Sequence, residues 1–177
     1  MLCQWIPYYN MDGSHFRLIL KSLQQTFPHV HLWMSGTDTF LLSSKQPLEI
    51  KPERLRTLFD TERINNKLSE VGIESSTALL SFYYLGSIAL ESMTRGIDML
   101  NTDAFPIVEF HSPKYLLGPN RPDIFFDILE ASYASPLNAS RLGVDDTARI
   151  LHRREFYSRW RIPSRVTDEM IRRTLSE

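Results

Sequence analysis

Apolar residues in the first 30 positions predict a strand followed by a helix. Residues 2–6 carry the apolar side chains of a buried strand, namely Leu2, Cys3, Trp5 and Ile6. Apolar positions then recur every three to four residues, which predicts an amphipathic helix over 13–27. Asp12 or Ser14 is suited to cap its start, and Pro28 ends it because proline cannot continue the backbone hydrogen bonds.

The next segment predicts a hairpin. Val30, Leu32 and Met34 alternate with other side chains and indicate a strand over 30–34, and residues 39–44 indicate a second strand after a turn at 36–38. Because the turn is short, these two strands must pair antiparallel. The strand–helix–hairpin order over 1–50 therefore predicts a mixed α/β fold and the end of a larger sheet.

The chain becomes mostly helical after residue 50. Helices are predicted from Pro52 and over 60–72. The segment 75–93 reads as one strongly apolar helix that buries more than one face. A short strand is predicted around 107–111, where Val108 and Phe110 alternate with polar residues.

The last third predicts a helical extension. A turn at 118–122 precedes predicted helices over 122–133, 144–160 and 163–175. We therefore divide the chain into 1–50, 51–117 and 118–177. The first is part of a sheet, the second a helical segment with a short strand, and the third the extension.

Composition excludes several functional classes. Twenty basic and 21 acidic residues give a net charge of −1, so nucleic acid is not an expected partner. The chain has one cysteine and therefore no intrachain disulfide, which fits a reducing, cytoplasmic environment. The longest apolar runs are too short for a transmembrane helix.

Motifs for catalysis and metal binding are absent from the sequence. His29 and His31 are two residues apart on one predicted strand and share a face, but a metal site needs a third ligand. Cys3 lies in a predicted buried strand, where a thiol behaves as a small hydrophobe. No phosphate-binding glycine loop and no G-x-S-x-G motif occurs. We predict no catalytic residue and no metal ligand.

Two clusters are candidates for ligand binding. "QWIPYYN" (4–10) brings Gln4, Trp5 and two tyrosines to the end of a predicted strand, where α/β sheets bind ligands. "NTDAF" (101–105) offers Asp103 to a cation. Core packing explains the first cluster and turn chemistry explains the second. The local pattern alone favours these simpler interpretations.

Arginines dominate the end of the chain. Residues 141–177 contain nine arginines, no lysine and six acidic residues. Arg149, Arg153 and Arg154 are interspersed with acidic side chains. This pattern favours a solvated helix face or a docking face over RNA binding.

The two clusters also carry a family resemblance. "CQWIPYYNMDGSHFRLILKSLQQTFPHVHLWMSGTDTFLLSS" and "NTDAFPIVEFHSP" resemble the carboxyl-terminal part of spermidine synthase-like proteins, the polyamine aminopropyltransferases. The resemblance is to the bacterial branch often fused to transporter segments, and it spans roughly residues 1–115. Ala104 stands where that branch usually has a second acid.

The resemblance implies a methyltransferase-like Rossmann sheet. Residues 2–6 would be its fifth strand, 13–27 the following helix, and 30–34 with 39–44 its final antiparallel hairpin. The family transfers an aminopropyl group from decarboxylated S-adenosylmethionine to a diamine. Gln4 and Trp5 match positions near the amine pocket, and Asp103 matches the acidic motif that would attract a cationic amine.

The family's donor-binding and catalytic residues precede the matching stretch and are not in this chain. We therefore expect a carboxyl-terminal segment of a larger aminopropyltransferase-like protein, without a cofactor of its own and not competent alone. Expected partners are the rest of the parent polypeptide or a homodimer mate, and a polyamine. The transporter-fused branch implies a membrane-associated parent. The alternative is a non-catalytic helical assembly module that uses the 75–93 helix and the arginine-bearing tail.

Overall fold

The computed structural model describes residues 1–7, 11–35 and 38–115, together with 124, 127–128, 131–132, 148–149 and 151–153. The chain forms two compact units. The first comprises Met1–Leu48 and Tyr84–Ser135, and the second comprises Glu49–Tyr83 and Pro136–Glu177. The three-part division made from the sequence stays a prediction.

The first unit begins with the predicted strand–helix–hairpin order. It contains β1 (Leu2–Pro7), α1 (Gly13–Thr26), β2 (His29–Ser35) and β3 (Asp38–Ser44). Asp12 caps α1, since its carboxylate accepts the Ser14 N–H at 2.8 Å. The fold is therefore mixed α/β, as predicted.

The sheet has four described strands in the order β1-β3-β2-β4, with β4 at Tyr83–Leu85. β3 pairs antiparallel with both β1 and β2. β1 and β2 consequently run in the same direction, with β3 between them and α1 as the crossover. A parallel pair joined by a helix is a β-α-β unit, here with an antiparallel strand inserted.

Strand β1 is mostly exposed, and the prediction that residues 2–6 form a buried strand is wrong. Only Ile6 is buried, at 4% exposure, whereas Leu2, Cys3 and Trp5 are exposed. The reason is the position of β1 at the sheet edge, where among the described strands it has a neighbour on one side only. Cys3 is accordingly an exposed thiol rather than a core residue.

The predicted apolar helix at 75–93 is three elements instead of one. They are α4 (Ser76–Leu80), β4 and α5 (Ser87–Met93). The run Phe82–Tyr84 interrupts the helix because aromatic residues favour extended backbone, and all three residues of β4 are buried. Gly86 then takes the cap position at the start of α5.

The predicted strand around 107–111 is a helix. Residues Ile107–His111 form α6, and a 3₁₀ turn follows over Ser112–Tyr115. Asn101 stabilises the start of α6, since its Oδ1 accepts the Val108 N–H at 3.0 Å. Four alternating residues are too few to distinguish the alternation of a strand from the period of a helix.

The second unit carries the predicted short helices after Pro52. These are α2 (Pro52–Asp60) and α3 (Glu62–Glu70), and Gly72 follows with a positive φ of 77°. The predicted turn at 118–122 and helix at 163–175 lie outside the described residues. Of the predicted helices over 122–133 and 144–160, the described residues are helical.

The core of the first unit lies against one face of the sheet. Its buried apolar residues on the strands and on α1 are Ile6, Val30, Leu32, Met34, Leu41, Phe16, Leu18 and Leu20. Each strand of the hairpin buries every second residue, as the alternating pattern predicts. In the described part of the chain no helix is long and apolar enough to cross a membrane.

Candidate functional site

Trp5 lies on the edge strand with its indole ring half in solvent. The residue is 48% exposed, yet its Nε1–H donates to Asp38 Oδ1 at 2.9 Å. The register makes this contact a diagonal one, because Trp5 pairs with Phe40 and Pro7 pairs with Asp38. The hydrogen bond therefore fixes the half-exposed indole of Trp5 against Asp38, the first residue of β3.

Gln4 does not share the face of Trp5. Neighbouring residues of a strand point to opposite faces, and Gln4 pairs with Leu41 while Trp5 pairs with Phe40. The Gln4 side chain is exposed and its Nε2 donates to the Trp5 carbonyl at 2.9 Å. Gln4 therefore braces the backbone of Trp5 and does not join its ring in one surface.

The face that carries Trp5 is a ladder of aromatic and polar rungs. Residues opposite one another across β1, β3 and β2 form these rungs, which are Cys3–Leu42–His31, Trp5–Phe40–Trp33 and Pro7–Asp38–Ser35. The members of the rungs on β2 and β3 are half-buried. The middle rung consists entirely of aromatic side chains and has a carboxylate beside it.

Asp103 lies in a tight exposed turn of the same unit. Thr102 and Phe105 close the turn by exchanging backbone hydrogen bonds of 3.3 and 2.9 Å. Among the described residues, none forms a hydrogen bond or ion pair with the Asp103 side chain. In particular, nothing there links Asp103 to Gln4 or Trp5.

The segment around Asp103 is fixed by Asn101. The Asn101 amide Nδ2 donates to both carboxylate oxygens of Glu109 at 3.2 Å. Its backbone N–H donates to Ser22 Oγ on α1 at 2.8 Å. The turn that carries Asp103 is therefore docked on the helix that follows β1.

His15, on α1, packs against the end of the 101–115 segment. It is 5% exposed, and its ring lies 5.5 Å from the His111 ring and 5.4 Å from the Tyr115 ring. Burial is the main cause of its lowered pKa; Asp12 opposes the shift, and His111 adds to it. Nδ1 of His15 has no hydrogen-bond partner among the described residues. His15 therefore acts as a neutral aromatic ring that packs against the rings of His111 and Tyr115.

His29 and His31, which the sequence singles out, have no third candidate metal ligand beside them among the described residues. His29 and His31 share a face of β2, but among the described residues no group of three or more His, Cys, Asp or Glu side chains could hold a metal ion. Burial lowers the pKa of His31, and the neighbouring His29 adds to that shift. Both effects disfavour a charged His31 imidazole.

Two arginines of the tail are buried, so the interpretation of their surface as solvated is wrong. Arg149 and Arg153 are each 3% exposed. Within the second unit Arg149 donates to the Tyr83 carbonyl at 3.1 Å, and Arg153 donates to the carbonyls of Ser81 and Tyr83. These carbonyls lie where α4 has ended, so they need donors from elsewhere. Arg154 lies outside the described residues.

Sequence reasoning missed Asp38 as a member of the site. It assigned Asp38 to a turn, whereas the structure places it at the start of β3 against Trp5. No local signal marked it, because Asp38 meets Trp5 only through the antiparallel pairing of β1 with β3, which places the first residue of β3 opposite the last residue of β1. Of the predicted aromatic cluster, Tyr8, Tyr9 and Asn10 lie outside the described residues.

Comparisons of this chain with protein-family models, with curated proteins and with solved structures find no match.

Proposed function

We propose that this chain is the carboxyl-terminal part of a spermidine synthase-like aminopropyltransferase and supplies one wall of its amine site. The reaction moves an aminopropyl group from decarboxylated S-adenosylmethionine to a diamine. Trp5 contributes the wall, Gln4 holds the backbone of Trp5, and Asp103 attracts the cationic amine electrostatically. The donor site belongs to the rest of the parent protein.

One observation carries the proposal: the two stretches that resemble the family fold against each other. Ser22 belongs to the first stretch and Asn101 to the second, 79 residues apart, and the Asn101 N–H donates to Ser22 Oγ. Within the second stretch, Asn101 also binds Glu109, so two of its polar positions are structurally coupled. Both stretches therefore lie in one compact unit.

The sheet supports the same proposal. A Rossmann-like sheet is built from parallel strands joined by helical crossovers. β1 and β2 run in the same direction and are joined by α1, and β3 pairs antiparallel with both, an arrangement compatible with the end of such a sheet. Exposure of β1 at the edge fits a strand that has a further neighbour in the parent protein.

The proposal assigns no proton transfer to this chain. An amine must lose its proton before it attacks carbon, and this step needs a positioned base. Asp103 has no hydrogen-bond partner that would fix its carboxylate among the described residues, so it serves the approach of the cation rather than the chemical step. The alternative helical assembly module lacks comparable support, because its long helix is three separate elements.

The test compares the 177-residue chain with the longer protein encoded by its gene and the sequence immediately upstream of Met1. Both are assayed for aminopropyl transfer from decarboxylated S-adenosylmethionine to 1,4-diaminobutane. We expect transfer by the longer protein and none by the chain alone. The upstream sequence should encode a glycine-rich loop and an acidic strand end.

Variants of the longer protein separate the proposed roles. Trp5→Ala should raise the KM for the diamine, and Asp103→Asn should raise it less, whereas Asp60→Asn on α2 serves as a charge-matched control. An in-frame stop directly upstream of Met1, or micromolar binding of decarboxylated S-adenosylmethionine by the isolated chain, would contradict the proposal.

A further inference from the structure

The carboxylate of Asp38 lies beside an aromatic surface and has no cationic partner among the described residues. Among the residues that the structure describes, it accepts one hydrogen bond, from the neutral indole of Trp5. Within the ranges that the structure describes, no lysine, arginine or histidine forms an ion pair with it. A positive ligand at this carboxylate would therefore meet no competing cation among the described residues.

The indole of Trp5 offers the second component of a cation site. Aromatic faces attract ammonium groups, and tryptophan binds them best. The hydrogen bond to Asp38 uses the Nε1–H at the ring edge and leaves the faces of the ring available, in keeping with the 48% exposure of the residue. Phe40 lies opposite Trp5 in the register and extends the apolar surface next to it.

The combination favours a particular ligand chemistry. A metal ion would need several oxygen or nitrogen ligands, and none of the described residues groups in that way. An anion would be repelled by the Asp38 carboxylate. A primary ammonium on an alkyl chain suits both components, because the charge meets the carboxylate while the methylene groups cover the aromatic rung.

We propose that Asp38 and Trp5 together form the subsite that binds one primary ammonium group of an alkyl diamine, Asp38 through its charge and Trp5 through its ring. This inference rests on the proposed function for the choice of a diamine as substrate. It adds a residue outside the positions that the family resemblance implies. Asp38 has two effects here: it orients the indole and neutralises the ammonium.

Nuclear magnetic resonance of the indole N–H groups tests the subsite in the 177-residue chain itself. The chain has three tryptophans, and Trp5→Phe assigns the signal of interest by removing it. The probe is 1,4-diaminobutane, with 1,4-butanediol as the uncharged control of equal length. We expect the diamine to shift the Trp5 signal in a saturable manner and the diol to leave it in place.

Two variants of Asp38 separate its charge from its hydrogen bond. The carboxamide oxygen of Asp38→Asn still accepts the Trp5 Nε1–H, so the free signal should stay near its wild-type position while the diamine binds about fivefold more weakly. Asp38→Ala removes both effects and should also move the free signal. Asp98→Asn, an exposed acid of the same unit, is the matched control and should bind as the wild type does.

The results distinguish this inference from the proposed function. Equal diamine affinity of Asp38→Asn and wild type would overturn the charge role of Asp38, and so would an equal response to the diol. Absence of any saturable shift of the Trp5 signal would overturn the subsite. The proposed function is judged separately, by aminopropyl transfer in the longer protein, and its failure leaves a measured diamine subsite standing.

Discussion

Strands β1 and β2 have similar apolar content, but the structure treats them differently. β2 lies inside the sheet and buries Val30, Leu32 and Met34 almost completely. β1 lies at the edge and buries Ile6 while exposing Leu2, Cys3 and Trp5. The difference shows that apolar side chains alone do not decide burial, because burial requires a neighbour on each side and a layer on the face.

The two strands also differ in the hydrogen-bond partners of their residues. On β2, the Ser87 hydroxyl accepts the Val30 N–H at 3.0 Å and donates to the Val30 carbonyl at 3.1 Å. On β1, the side chains of Gln4 and Trp5 instead take partners within the sheet and remain exposed. The interior strand is locked by packing, whereas the edge strand keeps polar and aromatic groups accessible for binding.

The largest difference should appear on truncating a leucine in each strand. Leu32→Ala leaves a cavity at a fully buried site and should lower the free energy of unfolding by about 3 kcal/mol. Leu2→Ala removes a partly exposed side chain and should cost below about 1 kcal/mol. Urea denaturation of both variants measures the contrast. Equal losses would mean that β1 is as buried as β2.

A smaller loss should follow removal of the Ser87 hydroxyl. Ser87→Ala leaves the Val30 backbone groups without this partner at a buried position, which should cost about 1–2 kcal/mol. Ser92→Ala on the same helix is the matched control. It removes only a bond to the Ala89 carbonyl of its own helix and should cost below about 0.5 kcal/mol. Similar losses in the two variants would refute a special role for Ser87.

The partial burial of His31 on β2 should be measurable as a lowered pKa in a histidine titration. Burial, and secondly the charge of His29, lowers the pKa of His31 below the ordinary 6.5, so the unfolded chain binds the proton more readily. Above about pH 6.5 His31 is neutral in the folded and the unfolded chain, and the folded state has its full stability. This stability is lost as the pH falls through the pKa of His31 in the folded state. Histidine NMR should show the lowered pKa, and His29→Gln should raise it part of the way. An unchanged value in that variant would exclude the contribution of His29.

The smallest expected effect on stability belongs to the cysteine variants, whose readout is the chemical reactivity of the thiol. Cys3 is exposed on β1, so its thiol should react with an aromatic disulfide reagent in the folded protein. In a Cys3→Ser background, Ser43→Cys places the thiol at a fully buried position of β3. That thiol should react only after denaturant is added. Protection of Cys3 in the native chain would contradict an open β1 edge.

Part of the candidate site could be predicted from the sequence. Trp5 and Gln4 follow as candidates from their position at the end of a predicted strand and Asp103 from its turn, and their binding roles stay predictions. Asp38 could not be found, because its relation to Trp5 depends on the register of β1 with β3, which joins residues 33 positions apart. The docking of Asn101 on Ser22 was hidden for the same reason, since the two residues are 79 positions apart.

Local patterns determined the elements whose partners are close in sequence. The hairpin of β2 and β3, the Asp12 cap and the start of α2 at Pro52 follow from alternation, a side-chain acceptor and a fixed φ angle, and all of these act within a few residues. Tertiary structure alone decided that β1 is an edge and that Arg149 and Arg153 are buried. Each of these depends on a neighbour supplied by a distant part of the chain, and the free energy of that contact exceeds the local preference.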